Sequence, residues 1–513
     1  MVTYNKLYFQ YNKLYPDYLK KIIKILNNYH GKNYNQNYWE PIIGLYLRRF
    51  ILNYLMINKI SKKKDLFKPL NYNRIVFFKN YRDYANYEDF LDLSKKNFYL
   101  IQKYENNQKF ETDHLNTFSI IINRIKIFGF NILTKLKITK IAFFESYFKK
   151  RLKYLFILRS LFYFYKLPNL NLENYSINKK KIFLNRLSLL KKNCIKSTED
   201  FLLNNIILFM PINYIENYKT IFTEVEKINL SEAIYIDGNE VNYDFIKFYI
   251  ANLRLKKKKI LIGQHSLRTG LDDYDVFYDY SESICNFFLS WGWRNKLNFI
   301  KKFSSLRIFS SLNKFKKIEK IRNQSLNVCF ILCGYSIIGE CLYDNYLENE
   351  KSERARINLL SIIQKKNKIK VSLKPRTGSF ILKNKAKFYN QFDSLKYKSR
   401  MYEVFGKYNI VIFERLSLGL VECIYLNQPT VLYYPKNLYK HQSKKYQEFL
   451  NLLKKANMLI DNSQEFIKLT NSSEKILQWW FDKKNLLMRN EILESYAKFF
   501  SFSDLKKFRN LLN

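Results

Sequence analysis

Glycine is scarce in this 513-residue chain: there are 12, and nine of them lie between Gly238 and Gly419. Glycine marks tight turns and close backbone approaches, so turn-rich α/β structure is expected in the middle and late chain rather than before residue 230. The six cysteines (194, 285, 329, 333, 341 and 423) form no CxxC pair and have no histidine neighbours. That pattern excludes a disulfide framework and a zinc-finger spacing, and fits reduced, buried thiols. No run of about 18 uncharged apolar residues occurs, so a membrane span is not expected. The most apolar stretch, YLFILRSLFYFYKLPNL (154–170), is interrupted by Arg159 and Lys166 and reads as a core or interfacial helix. The N-terminus, MVTYNKLYFQYNKLYPDYLKK, lacks the apolar core and small-residue cleavage site of a signal peptide. A cytoplasmic protein is the expectation.

Acidic residues are also few, 44 against 89 Lys and Arg, giving a formal charge of +45. Such a charge draws a protein to nucleic acid, to an anionic bilayer or to phosphorylated substrates. The lysines are spread along the chain, without a basic arm, an arginine-rich tract or an RRM-type aromatic signature, so nucleic acid is not the expected partner. Association with the inner face of the plasma membrane suits the charge. The abundance of Lys, Asn, Ile, Tyr and Phe also reads as the shadow of AT-rich coding sequence, which discounts arguments from lysine number alone.

What is present falls into two styles. Residues 1–230 carry helical periodicity in IIKILNNY, YLRRFILNYLMINKI, FSIIINRIKIFGFNIL and FLNRLSLLKKN. After 230 the pattern alternates. AIYIDG (233–238) and ILIG (260–263) read as strands around an amphipathic helix, with NFFLSWGW (286–293) as a third strand. After a basic linker near 310–325, NVCFILCGYS (327–336), IKVSLKP (369–375), NIVIF (409–413) and TVLYYP (430–435) read as a second strand series, with helices between and after. The expected fold is α/β, with two Rossmann-like domains facing a cleft. Its segments are a mainly helical region 1–230 on the acceptor side, a Rossmann-like core 231–310, a nucleotide-donor domain 326–470 and closing helices 471–513.

In open parallel sheets, ligands sit at the carboxyl ends of the strands. His265, one of only four histidines, follows ILIG at such an end and can take a proton from an attacking hydroxyl. A histidine that merely ties down its loop is the other reading. In NIVIFERLSLGLVECIYLNQPTVLYYP (409–435) a strand end leads through Arg415, Ser417 and Gly419 into a helix whose N-terminus suits a phosphate. Glu422 stands near that helix start, where a carboxylate can accept from ribose hydroxyls. An ordinary strand–helix turn remains open. Lys374, Arg376 and Gly378 follow another strand end, although a solvated basic loop gives the same pattern. Asp273 and Asp275 form a DxD pair in a polar loop, and no metal role is assigned to them. His114 and His441 read as surface or helix-cap residues.

Taken in order, these pieces resemble a family of surface-carbohydrate transferases of O-antigen clusters, itself similar to the capsule-sugar and CDP-glycerol-dependent transferases of the GT-B class. The resemblance rests on Leu26, Asn27, His30, Tyr38 and Trp39 in ILNNYHGKNYNQNYWEPIIGLYLRRFI, Asp113 to Asn116, the helix FIKFYIANL, Gln264-His265, Trp291-Gly292-Trp293, and Ser417, Glu422 and Asn427 to Thr430. It runs from about residue 20 to about residue 500. Ser266 and Leu267 replace the glycines usual after Gln-His, and Leu418 and Cys423 are bulkier than usual. The resemblance implies a GT-B-like transferase that needs no cofactor and no metal. It would move a sugar or alditol from a nucleotide-activated donor to a saccharide or lipid-linked acceptor. It makes His265 and Gln264 catalytic. Lys374, Arg376, Arg415, Ser417, Gly419 and Glu422 would bind the donor, with Trp291, Trp293, His30 and Trp39 on the acceptor side. A non-catalytic scaffold and a basic nucleic-acid binder are the alternatives.

Overall fold

The computed structural model describes residues 2–61, 78–86, 117–144, 150–168, 179–192, 198–237, 242–272, 275–293, 297–312, 315–319, 326–332, 346–365, 369–375, 386–395, 401–435 and 443–512. The chain divides into two compact units. One comprises Met1–Gly263, Val276–Phe288 and Leu505–Asn513, and the other Gln264–Asp275 and Leu289–Asp504.

The first unit opens with two long helices, Val2–His30 and Gln36–Ser61. Their facing sides are knitted by polar contacts between buried aromatics. Tyr15 donates to Glu40 (3.0 Å), Arg48 donates to the same carboxylate (3.2 Å) and to Tyr11 (3.2 Å), and Tyr8 donates to Asp279 (2.7 Å). The strands of the first sheet are β1 (Ile141–Phe143), β2 (Phe164–Lys166), β3 (Ala233–Ile236), β4 (Lys259–Gly263), β5 (Phe287–Ser290) and β6 (Ile300–Lys302), in the order β2-β1-β3-β4-β5-β6. The pairs β1–β2, β1–β3 and β3–β4 are parallel. AIYI is buried at every residue, the continuous apolar run expected of a strand covered on both faces.

Within the mainly helical residues 1–230, β1 and β2 are short strands that the helical patterning did not show. The apolar stretch at 154–170 is not one helix. The helix Lys150–Arg159 stops, the chain reverses at Leu161 (φ 52°) and Phe162 (φ 59°), and β2 follows. No glycine or proline signals this reversal, because two ordinary residues adopt the left-handed conformation themselves.

The second sheet holds β7 (Leu326–Ile331), β8 (Ile369–Lys374), β9 (Asp393–Ser394), β10 (Ile410–Phe413), β11 (Thr430–Tyr433) and β12 (Leu459–Ile460), in the order β12-β11-β10-β7-β8-β9. All its pairings are parallel. Counted in chain order this is the 3-2-1-4-5-6 sequence of the Rossmann fold, with the reversal between β7 and β10. Val328, Phe330, Val371, Leu373, Ile410, Ile412 and Val431 fill its core with Leu359, Leu360 and Ile363 of the helix Tyr346–Gln364. The closing helices expected over 471–513 include Ser473–Phe481 and Lys483–Tyr496. Asp482 breaks them by accepting from the Asn485 backbone N–H at 3.1 Å.

Candidate functional site

The N-terminal motif residues lie in the first unit, where they form a joint. Trp39 Nε1 donates to Asn27 Oδ1 (2.8 Å), and the same oxygen accepts from the Tyr34 backbone N–H (3.1 Å) while Asn27 Nδ2 donates to Tyr34 O (2.7 Å). Asn27 thereby fixes the turn between the two long helices. His30 stacks on Tyr218 at 4.0 Å and on Trp39 at 5.8 Å between ring centroids, and its Nε2 stands 3.1 Å from Tyr214 O. Burial lowers its pKa to about 4, so the ring is neutral at physiological pH and Nε2–H donates to that carbonyl. Trp39 is fully buried, and the two rings pack together with Tyr218. The unfolded ring protonates near pH 6.5 and the folded one only near 4. The unfolded state therefore binds more protons across this window, and acidification from 6.5 to 4 destabilises the fold. His30→Phe, which keeps the stack, should flatten that limb of the melting-temperature profile relative to wild type.

The remaining described site residues gather in the second unit. Gln264 is fully buried and its amide is committed on both sides. Its Oε1 accepts from Trp291 N and from Trp293 Nε1, both at 2.8 Å, and its Nε2 donates to Ser266 O at 2.7 Å. Gln264, Trp291 and Trp293 thus make one buried clasp that holds the loop behind His265. Gly292 sits between the tryptophans at φ 130°, where a Cβ would fall 2.6 Å from the Glu494 carbonyl oxygen. Only glycine fits that turn. Gln264→Leu strands two buried donors and should cost about 2–5 kcal/mol, read by urea unfolding.

The serine and leucine after His265 have structural roles. Leu267 is fully buried, and Ser266 closes the turn through its N–H and hydroxyl on Thr269 Oγ1 (3.2 and 2.9 Å). The far end of the loop is pinned by Ser443, whose hydroxyl donates to Leu271 O and which caps the helix Lys444–Lys455. Arg268 pairs with Asp272 (2.6 Å) and lies over Tyr446 of that helix. Burial drives the Tyr446 phenol pKa up, with Arg268 and Arg415 among the nearby charges that oppose it.

His265 itself is half-buried. Arg307 Nη1 lies 3.0 Å from its Nδ1 and 3.2 Å from its Nε2, and also donates to its backbone carbonyl. At these two distances the guanidinium nitrogen stands over the imidazole face, while its bond to the carbonyl ties the loop. Arg307 starts the short helix Leu306–Leu312. One turn later Ser311 donates its hydroxyl to Glu422 Oε1. Residues four apart share a helix face. One helix therefore touches the predicted base with one residue and the predicted ribose acceptor with another.

Glu422 lies on the helix Leu418–Tyr425, which leaves β10 at the reversal point of the second sheet. Ser417 is its N-cap residue with extended backbone, and its hydroxyl makes no capping bond. A Cβ on Gly419 would stand 3.0 Å from Phe413 Cε1, so glycine lets this helix approach the strand end. The loop between them is anchored by Glu414, which accepts from Arg356 at 2.9 and 3.2 Å. Lys374 ends β8 with its side chain buried. Its charge is felt at Cys329, whose thiol burial pushes up to about 12 against the pull of the lysine. Asn427 closes the unit at φ 63°, donates to Ile318 O (3.1 Å) and accepts from Trp480 Nε1. Arg376, Gly378, Asp113 to Asn116, His441 and Asp273 lie outside the described residues. Among the described residues no group of three or more His, Cys, Asp or Glu could hold a metal ion. Arg307, Ser311, Arg356 and Glu414 were not singled out by sequence. The only local sign was a Ser-x-x-Arg-x-x-x-Ser run beside the basic linker.

No curated protein matches the chain. Solved structures similar to it include MurG from Acinetobacter baumannii, at 10% identity and TM-score 0.31, covering 77% of this chain and 97% of that one. HepE from Anabaena in complex with UDP-glucose is 12% identical with TM-score 0.36, covering 72% and 98%. A variant of the wall teichoic acid polymerase TagF is 9% identical with TM-score 0.36, covering 77% and 94%. The LIC12162 family transferase pattern matches residues 3–504, almost the whole chain, and the chain belongs to that family of transferases.

Proposed function

We propose that the chain transfers a sugar or alditol from a nucleotide-activated donor to a hydroxyl acceptor in surface-polysaccharide or O-antigen synthesis. The acceptor is a saccharide or a lipid-linked saccharide, and the enzyme works at the cytoplasmic face of an anionic membrane. The observation that carries this reading is the helix Leu306–Leu312, which holds His265 through Arg307 and Glu422 through Ser311. It sits beside the strand-order reversal of a Rossmann sheet, the place where such sheets receive nucleotides.

In this reading His265 takes the proton of the acceptor hydroxyl as the new bond forms, and Arg307 positions its ring. Glu422 accepts from the ribose hydroxyls of the donor. The N-terminal N–H groups of the helix Leu418–Tyr425, the Ser417 hydroxyl and Arg415 hold the phosphates. Lys374 and Arg376 offset charge on the departing nucleotide, and Gly419 lets the helix start come close. Gln264, Trp291 and Trp293 keep the His265 loop in place. Cation and dipole contacts of this kind supply the charge stabilisation that a metal gives in other transferases.

The test is a release assay. Purified protein is incubated with CDP-, UDP-, GDP-, dTDP- and CMP-activated sugars or alditols, and free nucleotide is measured with and without saccharide acceptors. Acceptor-dependent release from one donor class, lost in His265→Ala, is the expected result. No release from any donor, by protein that folds normally, would favour the scaffold alternative.

A further inference from the structure

Among its described residues, the first unit carries a cluster of exposed apolar side chains. Nineteen large hydrophobic side chains are exposed among the described residues, and ten of them fall between Ile125 and Phe162. On the helix Thr117–Lys135, Phe128 is 68% exposed, and the turn that follows leaves Leu136 63% exposed. Leu161, in the reversal before β2, is 76% exposed, with Leu158 and Phe162 beside it. These are one surface. Thr139 donates its hydroxyl to Phe162 O (3.0 Å), Lys140 N donates to Tyr163 O (3.0 Å), and Tyr165 packs on both Phe130 and Phe162. The two turns therefore lie side by side at the amino-terminal edge of β1 and β2.

Two further observations say what covers it. Residues 117–144 and 150–168 contain ten Lys or Arg and no Asp or Glu, so the apolar groups are set among cations; Lys135 and Lys137 are exposed, and Lys140 pairs with Glu232. Leu161 and Phe162 are also held consecutively at positive φ, a conformation that would cost less with glycine or asparagine. The fold accepts that cost and thereby points two large apolar side chains outward. Exposed apolar groups in a net-cationic surface match the boundary between headgroups and acyl chains of an anionic bilayer. No described helix is long and apolar enough to cross a membrane, so the contact is with the surface.

We infer that the turn after the 117–135 helix and the Leu158–Phe162 reversal together form a docking surface that inserts into an anionic lipid bilayer. The inference deepens the membrane-facing part of the reading above and is independent of its chemistry. A protein that binds vesicles but no nucleotide would keep the one and lose the other.

The test is co-sedimentation of the full chain with phosphatidylcholine vesicles, with and without phosphatidylglycerol, at low and moderate salt. Wild type should partition onto the anionic vesicles. Leu161→Asn/Phe162→Asn should weaken partitioning at moderate salt by about tenfold or more. Its melting temperature should hold or rise, because asparagine tolerates positive φ. Lys135→Glu/Lys137→Glu should lower partitioning by a similar factor at low salt. Failure of wild type to bind anionic vesicles, or unchanged binding by the asparagine variant, overturns the inference. So does a wild-type dimer that the asparagine variant dissociates, which would make the surface a contact between two copies. Tight oligonucleotide binding that depends on Lys135 and Lys137 but not on the apolar pair, without vesicle binding, would assign the charge to nucleic acid and overturn it as well.

Discussion

Replacing Arg356 by alanine should destabilise the second unit by about 3–5 kcal/mol, a loss large enough to unfold a marginal protein. Arg356 is fully buried, donates to Glu414 at 2.9 and 3.2 Å and to Tyr389 at 2.8 Å, and lies 3.8 Å from Glu353. Removing the guanidinium leaves two carboxylates, Glu353 and Glu414, inside the protein without their cation. The expense comes from those stranded charges, more than from any net worth of the ion pair. Replacing Arg356, Glu353 and Glu414 together by apolar residues of similar volume should accordingly cost far less than the single change. Urea unfolding measures both variants. Because Glu414 precedes Arg415 directly, the single variant should also loosen the loop that leads to Ser417. A loss under about 1 kcal/mol for Arg356→Ala would mean that the carboxylates find other partners.

The second large effect is expected on turnover. His265→Ala should lower transfer by about 10²–10⁴-fold, the contribution of a positioned general base. Binding of the donor nucleotide should change little, since Glu422, Ser417 and Arg415 are untouched. Arg307→Met should reduce turnover less than His265→Ala and should alter the pH–rate profile, because it removes the group that meets the imidazole nitrogens. A merely structural Arg307 would lower activity without moving that profile. Equal turnover by His265→Ala and wild type would return the histidine to the role of a loop tie, the other reading that its sequence position allows.

Four of the six strands of the second sheet were legible, and the two-residue edge strands β9 and β12 were not. Parallel strands buried on both faces appear as short apolar runs, and NIVIF and TVLYY are such runs between helical segments. In the first sheet, β1 and the edge strand β2 were not legible. Each is three residues long, and β2 follows a reversal made by Leu161 and Phe162, residue types that sequence rules assign to a continuing helix. In the second unit, the positions that read as chemistry were singled out because they stand at or after strand ends. The groups that hold them were invisible for a different reason. Arg307 is 42 residues from His265, and Arg356 is 58 from Glu414, so no local spacing connects them. The resemblance pointed to the glutamine before His265, and its buried amide bonds Ser266 O, Trp291 N and Trp293 Nε1, contacts that no local spacing foretells.

The central claim is that the second unit binds a nucleotide-activated donor at the reversal point of its sheet, with Glu422 on the ribose. Thermal unfolding with CMP, CDP, UDP, GDP and dTDP, of wild type and of Glu422→Ala, tests it most directly. A ligand that binds only the folded state adds about 2.7 kcal/mol of stability at 100 times its dissociation constant. The account predicts that one nucleotide raises the melting temperature of wild type and that Glu422→Ala, folded on its own, loses that rise. No rise with any nucleotide, or a rise that survives in Glu422→Ala, would contradict it.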